Sequence, residues 1–286
     1  MEEKTVRKTE IRVSGISTYY LEAGSGQLVV LLHGWGSNAD LYRRVIDALS
    51  LQYHVAAPVF PGCSGESGPS DEPSEPWSVD DYVGFVKEFT QELLKKDGLL
   101  PGDRSDPADL PGVIFLGHSH GGRVLIKLAG RDADTLPFRI EKLILVDSAG
   151  IVPEKTEAQK AAIRRYKAGK KFLESPVMKT LFPEALEKFK KSHGSADYRS
   201  ASPVMRDTMV RVVNEDEREW MPEIKAETLL IWGTADADTP IASGEIMESM
   251  IPGSGLARIE GAGHFSFIDN EYLFIRILKS FLNIPL

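Results

Sequence analysis

Cysteine is nearly absent: Cys63 is the single one in 286 residues. No disulfide can form within the chain, and a thiolate-based zinc site would lack ligands. Cationic residues are also in deficit, with 34 Lys and Arg against 42 Asp and Glu, for a formal charge of −8. Nucleic acid is therefore not the expected ligand, since phosphate binding needs concentrated positive charge. Long apolar runs are missing too. Nowhere do 18 apolar residues follow one another, and the charged start Met1–Lys8 has no apolar stretch behind it. Neither a membrane span nor a signal peptide is expected, and the cysteine count suggests a reducing cytoplasm. What remains is a chain 42% hydrophobic and 27% charged, with 25 Gly and 17 Pro. That composition supports a sizeable core and excludes wholesale disorder and collagen-like structure.

Short continuous apolar segments recur at Leu28–Leu32, His54–Ala57, Val113–Leu116, Leu143–Val146 and Thr228–Trp232, with a weaker echo at Leu256–Ile259. Such runs predict strands buried on both faces, as in a parallel sheet. Helical patterns fall between them at Asp40–Leu49, Val79–Leu94, Gly122–Ala129 and Ser243–Met250, and Tyr272–Leu282 closes the chain. A hairpin at Thr9–Val13 and Ser17–Leu21 precedes the first run. This alternation predicts an α/β fold with a doubly wound, mostly parallel sheet.

The alternation breaks once. Residues 151–222 show no strand-like run and offer three helical segments, Thr156–Leu173, Pro176–Lys191 and Pro203–Glu219. This stretch carries a net charge of +4, which leaves −12 for the rest, so attraction between the two parts is expected. The expected organisation is a core of residues 1–150 and 223–286, with a helical cap of residues 151–222 over the carboxyl edge of the sheet. Ser64–Pro76 and Lys96–Pro111 read as surface connections.

Chemistry concentrates where strands end. Gly117-His118-Ser119-His120-Gly121-Gly122 follows a buried strand and opens a helix. In that context Gly-x-Ser-x-Gly is a nucleophile elbow, which presents Ser119 on a sharp turn above the sheet. A serine hydroxyl needs a base, and His264 lies in Gly261-Ala262-Gly263-His264-Phe265, a Gly loop that leaves a ring free to reach a neighbour. An acid should orient that imidazole. Asp236, after the strand Thr228–Trp232, is the first choice. Asp238, two residues on, and Asp147, ending Leu143–Val146, are the alternatives. Upstream, His33-Gly34-Trp35-Gly36 ends a strand and can aim backbone N–H groups at a developing oxyanion, with Trp35 and His120 as the expected donors. His33 reads as structural, and Cys63 as a packing residue. Trp35, His120 and Phe265 are the expected substrate contacts, with Met178, Phe182 and Met205 as weaker candidates. A His118/His120 metal pair finds no third ligand, so no metal is expected.

The chain order Ser119, Asp236, His264 resembles that of the α/β-hydrolase superfamily, and from about Leu28 onward the sequence looks like its capped branch of serine esterases and carbon–carbon bond hydrolases. The resemblance implies an eight-stranded sheet, Ser119 as nucleophile, Asp236 as acid, His264 as base, residues 151–222 as lid, and no cofactor. The expected activity is hydrolysis of small to medium carboxylic esters through an acyl-enzyme, with a small-molecule acyl compound as the partner. Cleavage of ring-fission diketones, for which Arg123, Arg164, Arg165 or Lys167 could grip a carboxylate, is one alternative. A ligand-binding receptor on the same scaffold is another. The turn Val59-Phe60-Pro61-Gly62-Cys63-Ser64-Gly65-Glu66-Ser67 departs from relatives, because it lacks their Asp and carries one extra residue. Serine at the nucleophile position also separates the chain from dehalogenases and epoxide hydrolases, which use aspartate there.

Overall fold

The computed structural model describes residues 6–66, 68–100, 109–154, 156–182, 184–186, 188–189 and 196–285. Its strands are β1 (Arg7–Val13), β2 (Ile16–Ala23), β3 (Leu28–Leu32), β4 (His54–Pro58), β5 (Ser64–Gly65), β6 (Gly68–Pro69), β7 (Gly112–His118), β8 (Arg139–Val146), β9 (Glu227–Gly233) and β10 (Gly255–Ile259). Eight of them form one sheet in the order β1-β2-β4-β3-β7-β8-β9-β10. Only β2 runs against its neighbours, and all pairs from β4 to β10 are parallel. The fold is the expected α/β-hydrolase fold. β5 and β6 form a small hairpin inside the connection that follows β4.

The helices are α1 (Arg43–Leu49), α2 (Val79–Lys96), α3 (His120–Lys127), α4 (Glu157–Leu173), α5 (Pro176–Leu181), α6 (Ala196–Ser200), α7 (Pro203–Val213), α8 (Ile241–Met250), α9 (Ser266–Asp269) and α10 (Glu271–Phe281). Alternation along the strands divides their side chains between two cores. Val30, Leu32, Phe115, Leu143, Leu145 and Trp232 face one side, where Phe85 and Phe89 of α2 and Val124 of α3 meet them. Val29, Leu31, Ile114, Leu116, Ile144 and Ile231 face the other, against Ile46 of α1 and Phe274 and Leu278 of α10. Helices on both faces explain why the strands read as unbroken apolar runs.

The helix ends correct three expectations. The elbow helix begins at His120, not Gly122, because the turn at Ser119 is tighter than the periodicity suggests. The segment Pro176–Lys191 is interrupted, since its first helix ends at Leu181 where Phe182 leaves helical geometry and helix returns at residues 185–186 and 188–189; Lys191 lies outside the described residues. The segment Pro203–Glu219 stops at Val213. Beyond it three successive acids, Glu215, Asp216 and Glu217, would oppose the negative end of the helix. Two of them are used elsewhere instead: Glu215 pairs with Lys127 on α3, and Asp216 accepts from the Val152 N–H at 3.1 Å. Glu217 turns inward, buried with no hydrogen bond to its carboxylate among the described residues, while its backbone N–H donates to the Gly150 carbonyl at 2.7 Å. These contacts draw the two ends of the 151–222 segment together beside α3. The Lys127–Glu215 pair has its cation on the core and its anion on the segment, the reverse of the sense expected from net charge.

Within that segment α7 buries Met205 and Val212, and Met221 is buried near the segment's end. The Thr208 hydroxyl of α7 accepts from the Trp77 N–H at 2.9 Å, and Ser202 donates to Glu72 at 2.7 Å.

Gly84 sits inside α2 on its exposed face, and a Cβ there would meet nothing within 4 Å. Gly84→Ala is expected to stabilise the protein by about 0.5–1 kcal/mol, because alanine loses less backbone entropy in a helix. A higher urea midpoint with unchanged slope is the measurement that checks it.

Candidate active site

Register places the site. β3 pairs with β7 as Leu32↔Gly117, β7 with β8 as His118↔Val146, and β8 with β9 as Val146↔Ile231. The residues just past these strands, His33, Ser119, Asp147 and the loop after Gly233, therefore emerge along one edge.

At that edge the backbone reverses through Ser119, with φ 50° and ψ −113°. A non-glycine residue there costs of order 1–3 kcal/mol and persists only where its surroundings impose it. Three backbone bonds do so: the Ser119 N–H donates to Val146 at 3.1 Å, and the Ser119 carbonyl accepts from Ala149 at 3.0 Å and Arg123 at 3.2 Å. The flanking glycines are required by contact. A Cβ on Gly121 would fall 2.3 Å from the Leu32 carbonyl oxygen, and one on Gly117 2.6 Å from the backbone of Gly121. The half-buried Ser119 is thus held above the sheet with little freedom.

His264 reaches it from the loop between β10 and α9. Its Nε2 lies 3.0 Å from Ser119 Oγ and its Nδ1 lies 2.9 Å from Asp236 Oδ2. The Asp236 carboxylate is further ordered by its own turn. Oδ1 accepts from the N–H groups of Asp238 at 2.8 Å and Thr239 at 3.0 Å, and Oδ2 lies 2.7 Å from the Thr239 hydroxyl. The histidine loop is tied to the elbow by His118, whose Nε2–H donates to the His264 carbonyl at 2.7 Å. Gly263 is held in turn by its N–H to Asp269 at 2.7 Å.

These contacts set the protonation states. Burial pushes the His264 pKa down, but the hydrogen bond and charge of Asp236, with Asp238 and Asp147 adding to them, raise it above the usual 6.5. Asp236 is lowered: burial opposes its charge, but the bonds from His264 and Thr239 outweigh that. His118 is driven down to about 3 by burial and by neighbouring His264, so it stays neutral. His33 falls to about 4 through burial, against the pull of its Gly34 bond. Its Nδ1–H donates to the Gly34 carbonyl at 2.8 Å and its Nε2 accepts from the Phe60 N–H at 2.9 Å, a bridge between two loops that fits the structural reading.

Trp35 and His120 stand on either side of the elbow. A Cβ on Gly34 would lie 3.0 Å from Ser119 Cβ, so the loop carrying Trp35 passes directly over the serine. The Trp35 and His120 rings meet edge to face at 5.7 Å, and His120 is enclosed by Tyr82 and Phe60. Phe265, 36% exposed, packs on His118 at 5.0 Å. Trp35 also lines a cavity of about 340 Å³ with Ser37, Cys63, Ser202 and Met205. Phe182 is 56% exposed, and neither it nor Met178 lines this cavity. Burial pushes the Cys63 thiol up to about 12, against its bond to Gly36, which leaves it protonated and inert.

The three aspartates differ in their contacts. Asp147 accepts hydrogen bonds from Gly233 and Ser266 and makes none to His264. Asp238 is exposed, and its backbone N–H serves Asp236; the helix that follows is capped at Pro240, not Asp238. Ligand-type atoms of Asp236, Asp238 and His264 do lie within 4.8 Å of one another, but both Asp236 oxygens are committed to the hydrogen bonds above. Arg123 is buried and donates to the Val212 carbonyl, while Arg164, Arg165 and Lys167 are exposed on α4. Thr239 was not singled out in the sequence. Its hydroxyl lies 2.7 Å from Asp236 Oδ2, 3.0 Å from the Asp147 carbonyl and 3.2 Å from His264 Nδ1. The Asp-x-x-Thr spacing after a strand, an Asx-type turn, is the signal that points to it.

Against known proteins, the alpha/beta hydrolase family profile matches residues 29–275. The chain belongs to this family. It is 26% identical to a pimeloyl-[acyl-carrier protein] methyl ester esterase of Aliivibrio fischeri, over 93% of this chain and 98% of that one. It is 25% identical to a 2-hydroxy-6-oxo-2,4-heptadienoate hydrolase of Pseudomonas putida, over 95% of each. An esterase from Exiguobacterium antarcticum superposes with a TM-score of 0.68 at 25% identity, covering 97% of this chain and all of that one. Among the described residues, no helix is long and apolar enough to cross a membrane.

Because Gly121 meets a backbone carbonyl that cannot swing aside, Gly121→Ala is expected to destabilise the fold by about 1–3 kcal/mol, the usual range for overpacking. A lowered urea midpoint checks it; an unchanged midpoint would mean that the elbow is looser than this geometry.

Proposed function

We propose that this hydrolase cleaves carboxylic esters of small to medium acyl compounds through a covalent acyl-serine. The observation that carries this reading is the continuous line Ser119 Oγ, His264 Nε2, His264 Nδ1, Asp236 Oδ2, with links of 3.0 and 2.9 Å, ending at a serine forced above the sheet. Neutral His264 takes the hydroxyl proton as Ser119 Oγ attacks the ester carbonyl carbon. Asp236, charged and hydrogen-bonded to Nδ1–H, keeps Nε2 as the basic nitrogen and stabilises the imidazolium. The backbone N–H groups of Trp35 and His120 serve as oxyanion donors, each worth about 3–4 kcal/mol in the transition state. His264 then protonates the leaving alcohol, and water attacks the acyl-serine by the same proton route to release the acid.

Residues 151–222 act in this reading as a cap, with α7 next to the cavity that Trp35 lines. The ester reading is favoured over carbon–carbon cleavage because Arg123, a candidate to grip a substrate carboxylate, is buried with its guanidinium on the Val212 carbonyl. An ordered nucleophile and base favour an enzyme over a receptor on the same scaffold.

The test is hydrolysis of p-nitrophenyl acetate and butyrate beside ring-fission diketones. Ester turnover should dominate, and Ser119→Ala should lower kcat by roughly 10⁶-fold; activity retained in a clean preparation of that variant would end the proposal.

A second expectation concerns pH. A base must be neutral, and His264 is held above 6.5, so kcat/KM should rise with pH through an inflection above that value. Asp236→Asn should move the inflection to lower pH and reduce kcat by roughly 10⁴-fold. A profile whose inflection does not respond to that substitution contradicts the assignment.

A further inference from the structure

Asp147 has no place in the proton route, yet it is the most completely engaged carboxylate beside it. It is 0% exposed, and its backbone sits at φ 43°. Oδ1 accepts from the Gly233 N–H at 2.8 Å; Oδ2 accepts from the Ser266 N–H at 3.1 Å and the Ser266 hydroxyl at 2.5 Å. Gly233 is three residues before Asp236, and Ser266 is two residues after His264. One side chain therefore grips the roots of both loops. Its main chain is fixed as well, with its N–H on the Ile231 carbonyl at 3.0 Å and its own carbonyl 3.0 Å from the Thr239 hydroxyl.

We propose that Asp147 is a positioning residue: it sets the distance between the loop of Asp236 and the loop of His264, and so holds their hydrogen bond in reacting geometry. The proposal rests on the triad reading above and deepens it. The two loops leave different strands, and they also touch directly, the Ala235 N–H donating to the Ala262 carbonyl at 2.9 Å and the Gly261 N–H to Thr234 Oγ1 at 2.9 Å. The Gly261–Thr234 bond is exposed, where water can replace it. Asp147 lies beneath, where a lost acceptor leaves buried N–H groups unsatisfied. Burial raises its carboxyl to about 6, against the pull of the Ser266 and Gly233 bonds, so the group is an ionised acceptor at pH 8. Charge-assisted bonds of this kind are directional and stronger than neutral ones. The strained backbone at Asp147 is what such a constraint explains: the side chain must turn inward from a strand end to reach both loops.

The experiment compares Asp147→Ala, Asp147→Asn and Ser266→Ala at pH 8 by steady-state hydrolysis of p-nitrophenyl butyrate and by the low-field proton NMR resonance of His264 Nδ1–H. Asp147→Ala is expected to lower kcat about 100-fold, the usual effect of a displacement near 1 Å in a catalytic constellation. KM should stay within about twofold, since no substrate contact is removed, and the resonance should shift or broaden. Asp147→Asn keeps an acceptor for Gly233 and should fall between wild type and Ala. Ser266→Ala should lower kcat about tenfold, as loss of one hydrogen bond does. If Asp147→Ala does not fold, Ser266→Ala decides. Wild-type kcat and an unmoved resonance in a folded variant would overturn the proposal. If no ester is turned over at all, the resonance alone decides it: a shift upholds the positioning role while the ester reading falls.

Discussion

A parallel sheet sends the ends of its strands to one edge, and here the register of β3, β7, β8 and β9 is the constraint on which everything else depends. Ser119 meets a histidine that follows it by 145 residues at 3.0 Å, and that histidine meets Asp236 at 2.9 Å, because the strands that carry them finish level. That register is enforced by burial on both faces. A slip of one residue would turn Val30, Leu32, Phe115 and Leu145 into the opposite core and Val29, Leu31, Ile114 and Ile144 out of theirs. The free energy that fixes the site geometry is therefore mostly hydrophobic and lies below the site.

Above that base, polar side chains refine what packing cannot. Each strand end is joined to a neighbour by a buried group without solvent competition: His33 links the β3 loop to Phe60, His118 links the elbow to the His264 carbonyl, and Asp147 reaches the loops of both Asp236 and His264. The two histidines are kept neutral by burial, so they act as fixed donors and acceptors with no charge to solvate. His264 differs because it faces Asp236, which raises its affinity for a proton. Three histidines within one edge thus serve different ends according to what surrounds each ring.

Much of this was legible in the chain. Leu28–Leu32 begins and ends as a strand where its apolar run does, since side chains buried on both faces leave an unmistakable pattern. Ser119 and His264 stand out because glycine on both sides has a steric meaning at the elbow and an exposure meaning in the loop. Asp236 is the first choice from sequence but stands out less, because Asp147 and Asp238 also follow strands, and only three-dimensional contact separates a carboxylate that faces the imidazole from one that grips two backbones. Helix ends within residues 151–222 were misread for a related reason. Amphipathic periodicity continues past Val213, but Glu215 and Asp216 are taken up by Lys127 and Val152, and the Glu217 backbone bonds to Gly150. The cavity beside Trp35 was half foreseen, in Trp35 and Met205, because cavities depend on distant segments that no local pattern records.

The central claim is that Ser119 is an activated nucleophile. Intact and peptide mass spectrometry after treatment with a fluorophosphonate tests it most directly. The account predicts one adduct per chain, located on the peptide that holds Ser119 and lost in His264→Ala. Folded protein that takes up no adduct, or takes it up on another residue, would contradict it.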